Sequence, residues 1–113
     1  MKSFKIIALV AITMLLASAV FAAHHTPVDR GKALFNDPKL GNGTTGKSCG
    51  SCHPDGKDLE KISSMPGEKI AETANNCITM GLKGKALDVK SEQMKDLVAY
   101  IKTIKPKAVE KGK

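Results

Sequence analysis

Cys49-Gly50-Ser51-Cys52-His53 is the stretch that decides how this chain is read. Two thiols three positions apart, followed directly by an imidazole, form the attachment pattern of a c-type haem: both sulfurs bond the porphyrin and the histidine takes the iron. The spacing has a mechanical reason. On a helical turn, residues i and i+3 share a face, so Cys49 and Cys52 can reach one edge of a flat ring, and His53 is delivered beside the second thioether. Two other chemistries use Cys-x-x-Cys. A thioredoxin-like redox pair expects a βαβ context, and a structural zinc site expects a second ligand pair, which this sequence lacks.

Upstream of the motif, residues 1–22 have the three-part pattern of a secretory signal peptide. Lys2 and Lys5 open it, Ile6 to Leu16 is almost unbroken apolar sequence, and Ala17-Ser18-Ala19-Val20-Phe21-Ala22 supplies small residues for a peptidase, with cleavage expected after Ala22 or Ala23. A retained membrane anchor is the alternative, because the apolar run can be stretched to about the minimum spanning length. No positive stop-transfer flank follows it, so the mature chain is expected to be periplasmic, with no stable membrane insertion after cleavage. Haem c is attached on the outer side of the bacterial inner membrane, so the leader and the motif point to the same compartment.

Residues 23–113 suffice for one small domain, with an ordered core expected over about 27–105 and a lysine-rich tail over 106–113. Aromatic residues make up 4% of the chain and Trp is absent, so core material is scarce unless a large apolar cofactor fills the middle. Of 18 basic residues, Lys2 and Lys5 leave with the leader, so 16 basic face 11 acidic residues in the mature part, a net charge of +5. The basic residues form no dense tract and are not interleaved with aromatics, which argues against nucleic-acid binding. A positive surface meeting an acidic redox partner fits better, with a merely solvated lysine-rich surface as the plain alternative.

Helical signals flank the motif on both sides and make the expected fold class all-α. Thr26 can cap a helix that opens with Pro27 and Asp29; Gly31, Leu34 and Phe35 share one face, and Asn36-Asp37-Pro38 ends it. Lys39 to Ser48 reads as loop, and Pro54-Asp55-Gly56 as a turn whose Pro54 carbonyl could orient the His53 ring. From Glu68 a helical period resumes with Ile70, Ala74, Cys77 and Ile78 in one apolar stripe, broken by Gly81 and Gly84. Ser91 can cap a last helix in which Met94, Leu97, Val98, Ile101 and Ile104 repeat at helical spacing before Pro106. His24 and His25, at the new terminus, read as solvated.

Taken in order, Gly31-x-x-x-Phe35, Cys49-x-x-Cys52-His53 and Leu97-Val98-Ala99-Tyr100-Ile101 resemble a monohaem class I c-type cytochrome, over about Val28 to Ile104. The resemblance implies a small cytochrome c fold: three to four short helices around one covalent haem c, with the first and last helices crossing near a glycine and an aromatic residue. It also implies a methionine from a loop before the last helix as the second iron ligand. Met80, twenty positions before Tyr100 and followed by the glycine-containing Gly81-Leu82-Lys83-Gly84, matches that description, although Gly81 stands where the family usually has proline. Met94 and Cys77 are the alternatives, and Met65 follows His53 by only twelve residues, too soon to pass around a ring. Cys77 has no pairing partner once haem takes the other two thiols. Asn76-Cys77, Gly84-Lys85-Ala86-Leu87 and Ser91-x-x-Met94 are also similar, more weakly, to haem domains of thiosulfate-oxidising cytochromes, some of which use a cysteine ligand.

The resulting expectation is a periplasmic, monomeric electron carrier. Cys49 and Cys52 hold the haem, His53 and Met80 ligate iron, and Lys47 and Lys57 steer an acidic partner. The alternative is a haem subunit of a sulfur-oxidising redox enzyme, or a small-ligand-binding haem protein with an open or Cys-ligated sixth position.

Overall fold

A computed structural model describes residues 25–105. The expected signal peptide, His24 and the lysine-rich tail from residue 106 onward lie outside the described residues. Among those described, five α-helices and no strand are found, so the described part is all-helical: α1 (Pro27–Phe35), α2 (Cys49–Cys52), α3 (Glu60–Ser63), α4 (Gly67–Asn76) and α5 (Glu92–Ile101). Tight 3₁₀ turns occupy Leu40–Asn42 and Pro54–Gly56, and a π-helical turn, Cys77–Gly81, continues α4. No helix among the described residues is long and apolar enough to cross a membrane.

The start of α1 follows from its first four residues. Thr26 Oγ1 accepts from the Asp29 backbone N–H at 3.1 Å, and Asp29 Oδ2 accepts in return from Thr26 N, also at 3.1 Å. This reciprocal cap satisfies two amides that a helix otherwise leaves without partners, and Pro27 begins the helix where no amide is needed. At the other end of the chain, Ser91 Oγ accepts from Met94 N at 3.2 Å and opens α5.

Helices α1 and α5 pack closely because Gly31 has no side chain. A Cβ there would be driven into the Asp96 carbonyl oxygen and would lie 2.8 Å from Tyr100 Cβ. One turn further, Phe35 meets Tyr100 edge to face, with ring centroids 5.1 Å apart and planes at 60°, a contact that adds about 0.5–1.5 kcal/mol to area burial. Phe35, Ile70, Ile78, Met94 and Leu97 are the largest fully buried side chains, so α1, α4, the π turn and α5 share one core.

The long loop after α1 is tied down by backbone bonds to the segment after the π turn. Lys85 N donates to Gly41 O at 2.6 Å and Thr44 N to Leu82 O at 2.9 Å. Asn75, on α4, clasps the same segment from its other side: Oδ1 accepts from Leu87 N and Nδ2 donates to Leu87 O, both at 2.8 Å. The segment that follows the π turn is therefore bonded both to the loop after α1 and to α4.

Candidate functional site

Helix α2 is a single turn, and serines make it. Ser48, in extended backbone, accepts at Oγ from Ser51 N at 3.2 Å, while Ser51 Oγ accepts from Ser48 N at 2.9 Å. The cap closes around Cys49 and Cys52 and fixes their i, i+3 relation on one turn, as the spacing alone predicts. The Ser48-x-x-Ser51 pair was the available sequence signal for this cap, and the reading of the motif did not use it. His53 N donates to Cys49 O at 2.9 Å, so the imidazole leaves the chain directly beneath the turn.

The chain after His53 curls back on the ring. Asp55, Gly56 and Asp58 all have positive φ, at 52°, 80° and 70°. The left-handed pair Asp55 and Gly56 returns the Lys57 carbonyl to 2.8 Å from His53 Nδ1. The Pro54 carbonyl, expected to orient the ring, instead accepts from Lys57 N at 3.0 Å. The correction has a plain cause: the tight 3₁₀ turn uses up the Pro54 oxygen and presents the one three residues later. A carbonyl can only accept, so Nδ1 carries the proton, and in the neutral ring the Nε2 lone pair is left for a metal. Histidine ligands are oriented in this way in metal sites generally.

His53 and Cys49 lie on the wall of an apolar cleft completed by Phe35, Leu59, Ile62, Ile70, Thr73, Ala74, Cys77, Leu97 and Ile101. The space between its walls is about 360 Å³ including the open mouth. A macrocycle enters such a cleft only as the walls part, so the donor set rather than the volume carries the fit to a haem. The donors suit it: two thiols on one turn, one imidazole with its second nitrogen tied, and a lining without charge. Thr73, the hydroxyl on that wall, is already spent on Lys69 O at 2.8 Å. Cys49, His53 and Cys77 remain as the wall's reactive groups. Among the described residues, no three His, Cys, Asp or Glu side chains converge as a metal-ligating cluster. A closed zinc site needs such a cluster; a porphyrin iron takes one protein ligand per face.

The three cysteines differ in setting. Cys52 is exposed, and Cys49 and Cys77 are half-buried. Burial, reinforced by the neighbouring Cys77 and Cys52 thiols, pushes the Cys49 thiol up to about 11. Burial, and then Cys52, likewise raise Cys77. Before any bond to a cofactor forms, both therefore stand as neutral thiols at neutral pH.

Sulfurs considered as second iron ligands are spread out. Met80 is on the π turn and 74% exposed, Met94 is fully buried in the core, Met65 is 40% exposed, and Cys77 is on the cleft wall. Comparison with family models, curated proteins and solved structures returns no match.

Proposed function

We propose that the chain is an exported monohaem c-type electron-transfer protein. Cys49 and Cys52 bond the haem, and His53 Nε2 ligates its iron. The observation that carries this reading is the joint placement of Cys49 and Cys52 on one capped turn with His53, its Nδ1 held by the Lys57 carbonyl, at the wall of an apolar cleft. The order of motifs from about Val28 to Ile104 resembles the class I c-type cytochromes, and the signal-peptide pattern of residues 1–22 supports export to the periplasm.

A bound haem would supply one-electron chemistry between ferric and ferrous iron. The chain does the rest. The α2 cap sets the spacing of the two thiols, and the Lys57 carbonyl fixes the tautomer and plane of His53. Phe35, Ile70 and Leu97 line the cleft and would keep water from a bound ring. Cys52 is exposed, so a haem bonded to it would be approachable by a partner on that side. Lys47 and Lys57 are exposed and flank the Cys49–His53 stretch in sequence, and they would favour brief encounters with an acidic docking surface, with the carrier itself monomeric. A second reading, a haem subunit in sulfur oxidation, is favoured by Cys77 on the cleft wall.

The test is expression of the full chain with a c-type haem maturation system. Denatured protein should keep its haem, and the alkaline pyridine spectrum should be that of a two-thioether haem. Cys49→Ser and Cys52→Ser should each give a one-thioether spectrum, and His53→Ala should lose the low-spin iron. Haem that washes out on denaturation would end this reading. Electron exchange without carbon monoxide binding would favour the carrier, and rapid carbon monoxide binding the enzyme subunit.

A further inference from the structure

We infer that Cys77, rather than Met80, supplies the chain's second iron ligand. The inference rests on the haem reading and goes one step past it, to which sulfur would join His53 in holding the iron. Cys77 shares the cleft wall with Cys49 and His53, whereas Met80 is outside that wall and 74% exposed.

The π turn explains why residues three apart differ so much. In an α-helix, positions i and i+3 share a face, so an uninterrupted α4 would present Cys77 and Met80 together. Here Leu82 N donates to Cys77 O at 3.1 Å, an i to i+5 bond, and the wider turn splays the two side chains apart. Ile78, which follows Cys77, is fully buried in the core. Its carbonyl oxygen accepts from Gly84 N at 2.9 Å, which helps hold the turn in this register. Met94 is no competitor, because its side chain is wholly enclosed in the core and absent from the cleft wall.

Ligation by Cys77 is a proton-for-metal exchange. The S–H bond breaks, the proton passes to solvent, and the sulfur lone pair forms the bond to ferric iron, with no change of oxidation state. The anionic sulfur stabilises ferric over ferrous iron, so the potential falls below that of a methionine-ligated haem. A carrier of this kind would serve low-potential partners.

The experiment uses the full chain with its haem attached, in wild-type, Cys77→Ala, Cys77→Met and Met80→Ala forms. Ferric optical and electron paramagnetic resonance spectra and the midpoint potential are the readouts. Met80→Ala should leave all three unchanged. Cys77→Ala should lose the low-spin thiolate signal, and Cys77→Met, which keeps a sulfur at the wall, should stay low-spin at a higher potential and acquire the far-red methionine–iron band. Loss of the low-spin signal in Met80→Ala overturns the inference, as does an unchanged Cys77→Ala spectrum. Pyridine haemochrome analysis of the wild type separates the two levels. Two-thioether haem with an indifferent Cys77 defeats this inference alone, and absence of covalent haem defeats the underlying reading as well.

Discussion

Arg30 and Asp96, 66 residues apart in sequence, form a two-pronged ion pair: Nε lies 2.7 Å from Oδ2 and Nη2 3.0 Å from Oδ1. A third guanidinium nitrogen, Nη1, donates to His25 O at 2.7 Å, so one side chain joins the start of α1 to the middle of α5. Fork-to-fork geometry of this kind fixes direction as well as proximity. It sits beside Gly31, where the two helix backbones meet.

The pair is asymmetric, with the Arg30 side chain 47% exposed and that of Asp96 only 9%. Removing the arginine leaves a nearly buried carboxylate without its partner, whereas removing both groups leaves no such charge. Arg30→Ala should therefore lower the thermal midpoint by more than Arg30→Ala/Asp96→Ala does. In a domain of this size the expected single-variant loss is about 4–8 °C. Additive losses in a double-mutant cycle would show that the two groups act independently.

Asn75 holds Leu87 by two part-buried hydrogen bonds, both at 2.8 Å. Each contributes about 0.5–1.5 kcal/mol, so Asn75→Ala should cost about 1–3 kcal/mol in chemical denaturation. Asn75→Asp keeps the acceptor for Leu87 N but turns an oxygen towards Leu87 O, and it should cost at least as much. Amide exchange at Leu87 should rise in both variants while exchange within α1 stays unchanged.

What could be read from the sequence was what is decided locally. Thr26, Pro27 and Asp29 cap α1 within one turn, and Ser91 does the same for α5, so both helices begin where their residues predict. The core faces of α4 and α5 follow from helical spacing, which places Ile70, Ala74, Ile78, Met94, Leu97 and Ile101 inside. Helix α3 escaped notice because four residues show no period; Leu59 and Ile62 hold it by packing on the core. The Arg30–Asp96 and Asn75–Leu87 links join distant segments and have no local signature. For the site, the Cys49, Cys52 and His53 turn was legible, but the oxygen that holds His53 was not. Its identity depends on left-handed backbone at both Asp55 and Gly56. The π turn likewise has no sequence marker, and it separates Cys77 from Met80.

Asp29 should make the start of α1 sensitive to acid. Hydrogen bonds from the Thr26 side chain and backbone hold its carboxyl below the usual range, with smaller help from His25 and Lys32. A carboxylate depressed in the folded state contributes stability that is present above its unfolded value and lost as pH falls through the lowered folded value. Amide exchange across Pro27–Gly31 should thus accelerate only below the ordinary carboxylate range. Asp29→Asn should remove most of that acid dependence, and an unchanged profile would show that the cap does not titrate.

Gly56 links the site turn to the C-terminal end of the core, and its replacement should disturb His53 without touching it. Its φ is +80°, which costs an L side chain about 1–2 kcal/mol, and a Cβ would stand 2.5 Å from Ile104 Cδ1. Crowding of that degree costs about 1–3 kcal/mol. Gly56 N also donates to His53 O at 2.9 Å, so a shifted turn changes the approach of the Lys57 carbonyl to the ring. Gly56→Ala should therefore lose about 2–5 kcal/mol and weaken the Nδ1 hydrogen bond, read as an upfield shift and faster exchange of that ring proton. Adding Ile104→Val removes the nearest carbon, Cδ1, and should recover part of the crowding loss but none of the backbone strain. Full recovery in the double variant would mean that the left-handed geometry of Gly56 is not required, and that Lys57 can reach His53 through another turn.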